Sequence, residues 1–588
     1  MIAPLTLFIS LSVLLYIARG CWIILKRVLF KSTLHNVPGP PSKSFIQGVL
    51  PEVFNERAWD VHQQISKTYG GIIKLKAPLG EEQLYVFDPK AMHHILLQDA
   101  HMFTESPFLI EGTKLLFGPG LLGTYGEQHR RQRRLINPLF SNANMREMGY
   151  AKGKCIAKYG VFLIADDLPL GLGTVSFVTR SPTKSEMIDM LSWASRTALE
   201  LIGQCGIGYS FDPLTEDEPN HPYILAAKAL VYVIVTSSFV NVLKTGALLS
   251  NMSRPAANKV LLPAQFFLAT IVKIDAPRLK RWLINHLPWK ALKDLQNIVD
   301  TFHETSLDIL RMHTGHDMKT SDKKKLAGFV GDGKDILSHI LRTNEEAGKD
   351  ERLTEAELLG EMSALTFAAT DTTSSSIART LFLLATHRDI QDKLRQEMAE
   401  SKGSLPEGEE LAYDEILALP YLDAVCRETL RLYSPPSGVM RMSREETILP
   451  LSTPIKGVDG SELTEVVVPK NTNIYISILS HNRNPDLWGP DAHEYIPERW
   501  LKAVPDKVAE AQVPGVYSHM MTFSGGGRGC IGFRFAILEM KVILSMLIEN
   551  FRFSLSKKDI EWRMTHAVAT ATVVGNDIPQ LPLIVERV

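Results

Sequence analysis

Beyond about residue 187, apolar positions recur at three-and-four spacing over most of the chain, which predicts a largely helical body. The clearest helix is predicted over residues 354–386. It is opened by Thr354 and Glu357 in the S/T-x-x-E arrangement of a capping box. A last helix is predicted directly after Cys530, where Ala536, Met540, Ile543, Leu544 and Leu547 keep helical spacing. Runs rich in β-branched residues predict short strands at 71–76, 84–87, 466–469 and 473–479. No internal repeat is visible. The pattern reads as α+β and mostly helical, a large helical body with small sheets packed beside it.

Three segments depart from this pattern. Residues 5–25 are apolar with one charge, Arg19, and as a helix would span roughly 31 Å, enough for a hydrocarbon core. Lys26, Arg27 and Lys31 follow, so residues 1–30 are expected to be a single membrane anchor with the body on the cytosolic side. Val37-Pro38-Gly39-Pro40-Pro41 then predicts a stiff strut, making 31–41 a basic, proline-rich linker to a body over 42–588. The stretches 149–185 and 231–269 are the other departures. They read either as a second membrane-contacting surface or as insertions, translated non-coding sequence included.

Composition narrows the class. The 588 residues are 45% hydrophobic and 22% charged, as in globular proteins. Lys+Arg 64 against Asp+Glu 65 gives no bulk electrostatic reason to bind nucleic acid. The five cysteines are scattered with no CxxC pair, which argues against a disulfide framework or a structural zinc site. Cys21, Cys155, Cys205 and Cys426 read as small hydrophobes.

Cys530 reads differently. It stands in Phe523-Ser-Gly-Gly-Gly-Arg-Gly-Cys530-Ile-Gly532, where glycines let the backbone pass close to a flat partner. It is expected in the first turn of the last helix, where backbone N–H groups and the positive helix end favour the thiolate. Such a thiolate is what an axial haem ligand requires, and Arg528 is placed to meet a haem propionate. Gly527, Gly529 and Gly532 also match the dinucleotide G-x-G-x-x-G spacing, but no βαβ unit or acidic partner follows.

The pattern formed by Phe523, Gly526, Arg528, Cys530 and Gly532 resembles the haem-binding signature of the cytochrome P450 family. Three more motifs stand in that family's order. Ala368-Ala369-Thr370-Asp371-Thr372-Thr373 is similar to its oxygen-activating helix, Glu428-Thr-Leu-Arg431 to its E-x-x-R helix, and Pro497-Glu-Arg499-Trp500 to its PERF-type segment. The resemblance implies haem b held by Cys530 as the iron ligand. It implies a structural triad of Glu428, Arg431 and Arg499, and propionate contacts from His129, Arg133 and Arg441. His129 stands where the family often has tryptophan. Asp371 beside Thr372 supplies an acid next to an alcohol for proton relay in oxygen activation. Ala369 replaces a usual glycine there. The hydroxyl-rich run from Thr370 to Ser376 suggests a groove or kink facing a ligand.

The activity implied is a haem-thiolate monooxygenase acting on a lipophilic small molecule. The texture resembles fungal members, so a secondary metabolite such as a terpenoid, a lipid or a xenobiotic is the expected substrate. The chain shows no flavin or nicotinamide domain. Electrons are therefore expected from NADPH-cytochrome P450 reductase, with cytochrome b5 as a further donor, at an endoplasmic-reticulum membrane. The outward arginines of 130–134 offer a basic face to such a donor. Two alternatives stay open: a haem-thiolate isomerase or dehydratase that uses no dioxygen, and an inactive membrane-tethered haem-binding protein. The Asp371-Thr372 pair argues against the first.

Overall fold

A computed structural model describes residues 32–148, 185–212, 221–236, 277–286, 290–315, 333–403, 411–564 and 568–588, with a few residues in 18–29 and at 214 and 405–406. The predicted anchor and the two atypical stretches lie almost wholly outside these. Among the described residues, no helix is long and apolar enough to cross a membrane.

The elements that position the site are helices α1 (Trp59–Tyr69), α2 (Gly126–Ile136), α3 (Met190–Leu201), α4 (Pro222–Thr236), α5 (Lys290–Thr314), α6 (Glu355–Thr386), α7 (Pro420–Leu432) and α8 (Phe533–Asn550). Strands β1 (Ile72–Lys76), β2 (Glu82–Val86), β3 (Phe103–Thr104), β4 (Gly438–Ser443) and β5 (Asn473–Ser477) form one sheet in the order β1-β2-β5-β4-β3. Its pairs are antiparallel except β2 with β5, in which Tyr85 faces Tyr475. A hairpin of β6 (Ile560–Arg563) and β7 (Thr570–Val573) sits beyond α8.

The 32-residue helix α6 runs through the helical core and packs against α3, α5, α7 and α8. Neighbours cover it on nearly every side, so its sequence shows no single polar face, and its buried positions include many Ser and Thr as well as apolar residues. Thr354 caps it as predicted: its N–H donates to Glu357 Oε2 at 2.8 Å and its hydroxyl accepts from the Glu357 N–H at 3.3 Å. The hydroxyl run does not kink it. Thr366, Thr370, Thr372, Ser376 and Thr380 each donate to the carbonyl four residues earlier, so the helix is continuous.

Other boundaries shift for local reasons. The strand expected over 473–479 stops at Ser477, whose hydroxyl accepts from the Ser480 N–H and starts a short helix, Ile478–Asn482. The proline-rich stretch does not stand clear of the body. Leu34 and Val37 are buried with the sheet core, and the Pro38 carbonyl accepts the Lys74 N–H at 2.8 Å. The last helix begins at Phe533, three residues after Cys530, with Gly532 as its N-cap.

Candidate functional site: the cysteine loop and its basic rim

Glu428 has no exposed surface, and its carboxylate is fully engaged. Arg431 donates to it through Nε and Nη2, both at 2.8 Å. Arg499 Nε adds a bond at 3.0 Å, and the Ile496 N–H one at 3.1 Å. Trp500 Nε1 completes the set at 2.9 Å. The structure thus brings Glu428, Arg431 and Arg499 together. Trp500 is a fourth partner that sequence reasoning missed, although its place beside Arg499 was the available signal. Arg431 also spans the carbonyls of Asn482 and Ala492, at 3.0 and 2.7 Å.

From there the connection to the cysteine is short. The Asn482 side chain accepts from the Met521 N–H at 2.8 Å and donates to Thr522 Oγ1 at 2.9 Å. Met521 and Thr522 lie on the strand Met520–Gly525, which feeds the glycine loop. Gly526 has φ +67°, and a Cβ there would stand 2.0 Å from the Leu96 carbonyl oxygen, so only glycine fits. The Cys530 N–H closes the loop on the Phe523 carbonyl at 2.8 Å. The Phe523 ring is half-buried against Tyr517 and Phe533.

The Cys530 thiol is solvent-accessible although protein surrounds it. Burial pushes its pKa up, opposed by the Gly532 N–H and the charge of Arg133. The sequence expectation ran the other way. Because α8 starts three residues later than expected, Gly532 supplies the one backbone N–H that acts on the thiol here. A bound cation is then what favours the thiolate.

Four predicted propionate contacts gather beside this loop. His129 is buried, and burial, followed by Arg528, Arg133, Arg130 and Arg441, lowers its pKa to about 3, so it is neutral. Arg133 bonds to Asn137 Oδ1 at 3.1 Å. Arg528 donates to the carbonyls of Leu121 and Thr124. Glu105, which nothing in the sequence marks, lies 3.2 Å from Arg528 and 3.5 Å from Arg441. Three guanidiniums against this one carboxylate leave two positive charges, matching the two propionates of haem b. With an accessible sulfur on a glycine-framed loop, the residues present fit the cofactor.

Helix α6 fixes the rim from the other side. Gly360 and Gly120 are in backbone contact, since a Cβ on Gly120 would meet the Gly360 carbonyl carbon at 2.7 Å. Glu361, the next residue, accepts the Leu121 N–H at 2.9 Å. Burial raises its pKa to about 8. Glu357 accepts from Gln128 and Gln132 at 2.8 and 3.0 Å and pairs with Arg131, so it holds α2. That use of Arg131 takes it out of the outward basic face. Arg130 and Arg134 remain exposed, paired with Glu127 and Glu351.

Further along α6 the otherwise buried helix opens. Ala368 is exposed, and Phe367, Ala369, Asp371 and Thr372 are half-buried. The Thr372 hydroxyl donates to the Ala368 carbonyl at 2.7 Å, so its lone pairs point outward as acceptors. Asp371 lies close enough to Tyr223 of α4 for its charge to raise that phenol's pKa. An aromatic wall adjoins this opening. Phe117 lies 4.9 Å from Phe367 and 6.2 Å from Phe302, and Tyr223 lies 4.8 Å from Phe302.

A mostly helical body carrying a glycine-framed cysteine under a basic rim is the architecture of a haem-thiolate protein. Residues 174–575 match the family model for cytochrome P450, and the chain belongs to that family, whose cofactor is haem b. It is similar over nearly its whole length to fungal proteins, several of them named as cytochrome P450 monooxygenases. Cytochrome P450 monooxygenase 91 of Postia placenta is 41% identical over 581 residues, 99% of this chain and 98% of its own. Cytochrome P450 monooxygenase 212 of the same fungus is 39% identical over 94% of this chain and 93% of its own. A ganoderic acid synthetase of Ganoderma lucidum is 38% identical, with the same coverage of each chain.

Two outcomes follow. Glu428→Ala leaves Arg431 buried without its carboxylate, which costs about 3–5 kcal/mol and lowers the melting temperature together with haem retention. The second concerns pH. Folded Glu361 keeps its proton up to about pH 8, whereas the unfolded chain releases it near the ordinary value of 4.5. Stability therefore falls as pH rises through that window, by at most about 1.4 kcal/mol per unit. Glu361→Gln removes this slope, read as a smaller drop in melting temperature between about pH 5 and pH 8.

Proposed function

We propose that the protein is a membrane-anchored haem-thiolate monooxygenase acting on a lipophilic substrate. One atom of dioxygen enters a C–H bond and the other leaves as water. Two electrons come from NADPH-cytochrome P450 reductase, with cytochrome b5 as a further donor, and two protons from solvent. The observation that carries this reading is the accessible sulfur of Cys530 beside a rim with two unbalanced positive charges.

Haem b, when bound, supplies the redox chemistry that activates dioxygen. The chain's residues hold and orient it. Cys530 is the thiolate ligand, and Phe523 packs the loop that carries it. Arg133, Arg441, Arg528 and the neutral His129 hold the propionates. Thr372, whose own proton goes to the Ala368 carbonyl, accepts a hydrogen bond from water in the groove. Asp371, its neighbour, exchanges protons with that water. Phe117, Phe302 and Phe367 form an apolar wall that excludes bulk solvent and suits a terpenoid or similar fungal metabolite. The ganoderic acid synthetase among the relatives supports that substrate class.

Residues 1–30 serve as the anchor, at the endoplasmic reticulum with the body in the cytosol. The apolar length of 5–25 and the basic residues after it support this. The exposed side chains of Trp22, Leu25 and Leu29 do so as well. Exposed Arg130 and Arg134 offer the donor a basic face. The near-equal length of the first Postia placenta relative supports 149–185 and 231–269 as genuine parts of the protein.

Cys530→Ala abolishes the red-shifted Soret band of the ferrous carbon-monoxide complex; persistence of that band would remove Cys530 as ligand. Thr372→Ala keeps the band but loses product by about 10²–10⁴ in rate, with reductant still consumed and peroxide released. Normal coupling in both Thr372→Ala and Asp371→Ala would favour the isomerase reading instead.

A further inference from the structure

Two turns beyond Thr372, helix α6 carries a buried cation that the proposed reaction does not use. Arg379 follows Thr372 by seven residues, so the two side chains leave nearly the same face, about 10 Å apart along the axis. Arg379 is 6% exposed. Its guanidinium carbon lies 3.5 Å from the Trp562 ring centroid, 4.0 Å from Tyr433 and 5.6 Å from Trp59. Aromatic rings thus cover the planar cation, leaving its edge, where the five N–H donors lie. Among the described residues none of these donors meets an acceptor.

The surroundings leave the charge uncompensated. The ionisable groups that act on Arg379 are Tyr433 and Arg483, with no carboxylate among them. Arg483 is a second, half-buried cation, with Nε and Nη2 both on the Leu432 carbonyl. Two further buried polar atoms have no partner: Nε1 of Trp562, the residue whose ring lies nearest the guanidinium, and Oγ of Ser434, next to Tyr433. Aromatic contact offsets only part of the cost of an unpaired buried charge, so the arrangement is unfavourable unless an anion joins it.

We propose that Arg379, with the Trp562 and Ser434 donors, forms a carboxylate-binding site. A guanidinium edge takes a carboxylate through two parallel bonds in one plane. That planar pair fits between stacked rings, whereas a tetrahedral phosphate would drive oxygens into the ring faces. The carboxylate has two sources: a free small acid, or the acid end of an elongated apolar substrate lying along α6 towards Thr372. The second source rests on the monooxygenase reading. Between the two positions Ser375 donates to the Ala569 carbonyl, so an elongated substrate has to part this contact to lie along α6, whereas a free small acid does not.

Titrating the holoprotein with acetate, dodecanoate and methyl dodecanoate, followed by calorimetry and melting temperature, tests the site. Dodecanoate is expected to bind at least about tenfold tighter than its ester, a preference one charge-assisted contact supplies. Arg379→Met abolishes the preference. Trp562→Phe, which keeps the ring and removes its N–H, reduces it and serves if Arg379→Met fails to fold. An Arg379-dependent effect of acetate, no weaker than that of dodecanoate, assigns the site to a free carboxylate. Equal binding of acid and ester by the wild type, with no response to acetate, overturns the site and leaves Arg379 a stacked cation. The Soret band is recorded on the same samples. Its absence with the acid preference intact would count against the haem-thiolate reading alone.

Discussion

A carboxylate removed from water must be fully hydrogen-bonded or it unfolds its surroundings, and Glu428 is the place where this chain accepts that constraint. Two arginines, an indole N–H and a backbone N–H converge on it. Through Arg431 the same network grips the carbonyls of Asn482 and Ala492, and through Asn482 it grips the strand that leads to Cys530. Replacing such a network by apolar residues need not cost stability, because desolvation offsets much of its attraction. Its contribution is positional. The glycine loop has almost no side chains with which to hold itself, so its place is dictated from below by partners that tolerate one geometry.

The rim of the site obeys a second constraint, set by α6. Glu357 and Glu361 lie one turn apart and face the same neighbours. One gathers Gln128, Arg131 and Gln132 of α2, and the other takes the Leu121 N–H. Carbonyls of that same loop receive Arg528. The helix with the opening at Ala368 and the cationic cluster near the thiol therefore share one frame. A displacement of either would be felt at the other.

Burial first, and then the charge within that cluster, explains the neutrality of His129. Surrounded by Arg133, Arg441 and Arg528, a protonated imidazole would add a further positive charge to a buried group that already exceeds its one carboxylate. Neutral, it can offer an N–H to an anion without that repulsion. Arg379 follows the opposite course along the same helix, remaining a buried cation between aromatic rings.

What the sequence by itself determined was local. The capping box at Thr354, the extent of α6, the glycine loop before Cys530 and the E-x-x-R spacing were all legible, because each depends on contacts within a few residues. The membership of Arg499 in the triad and the propionate roles of His129, Arg133 and Arg441 came from resemblance, that of Arg528 from its place in the cysteine loop, and the tertiary structure supplied the distances. Glu105, Glu361 and Asn482 were not legible. Each acts on a partner tens to hundreds of residues away, and no periodicity records such a meeting. The same holds for the thiol of Cys530. Its spacing suggested a helix end, but its acidity depends on where the helix begins and how deeply the loop is buried. Those are properties of packing, decided only when α8, the glycine loop and α2 come together.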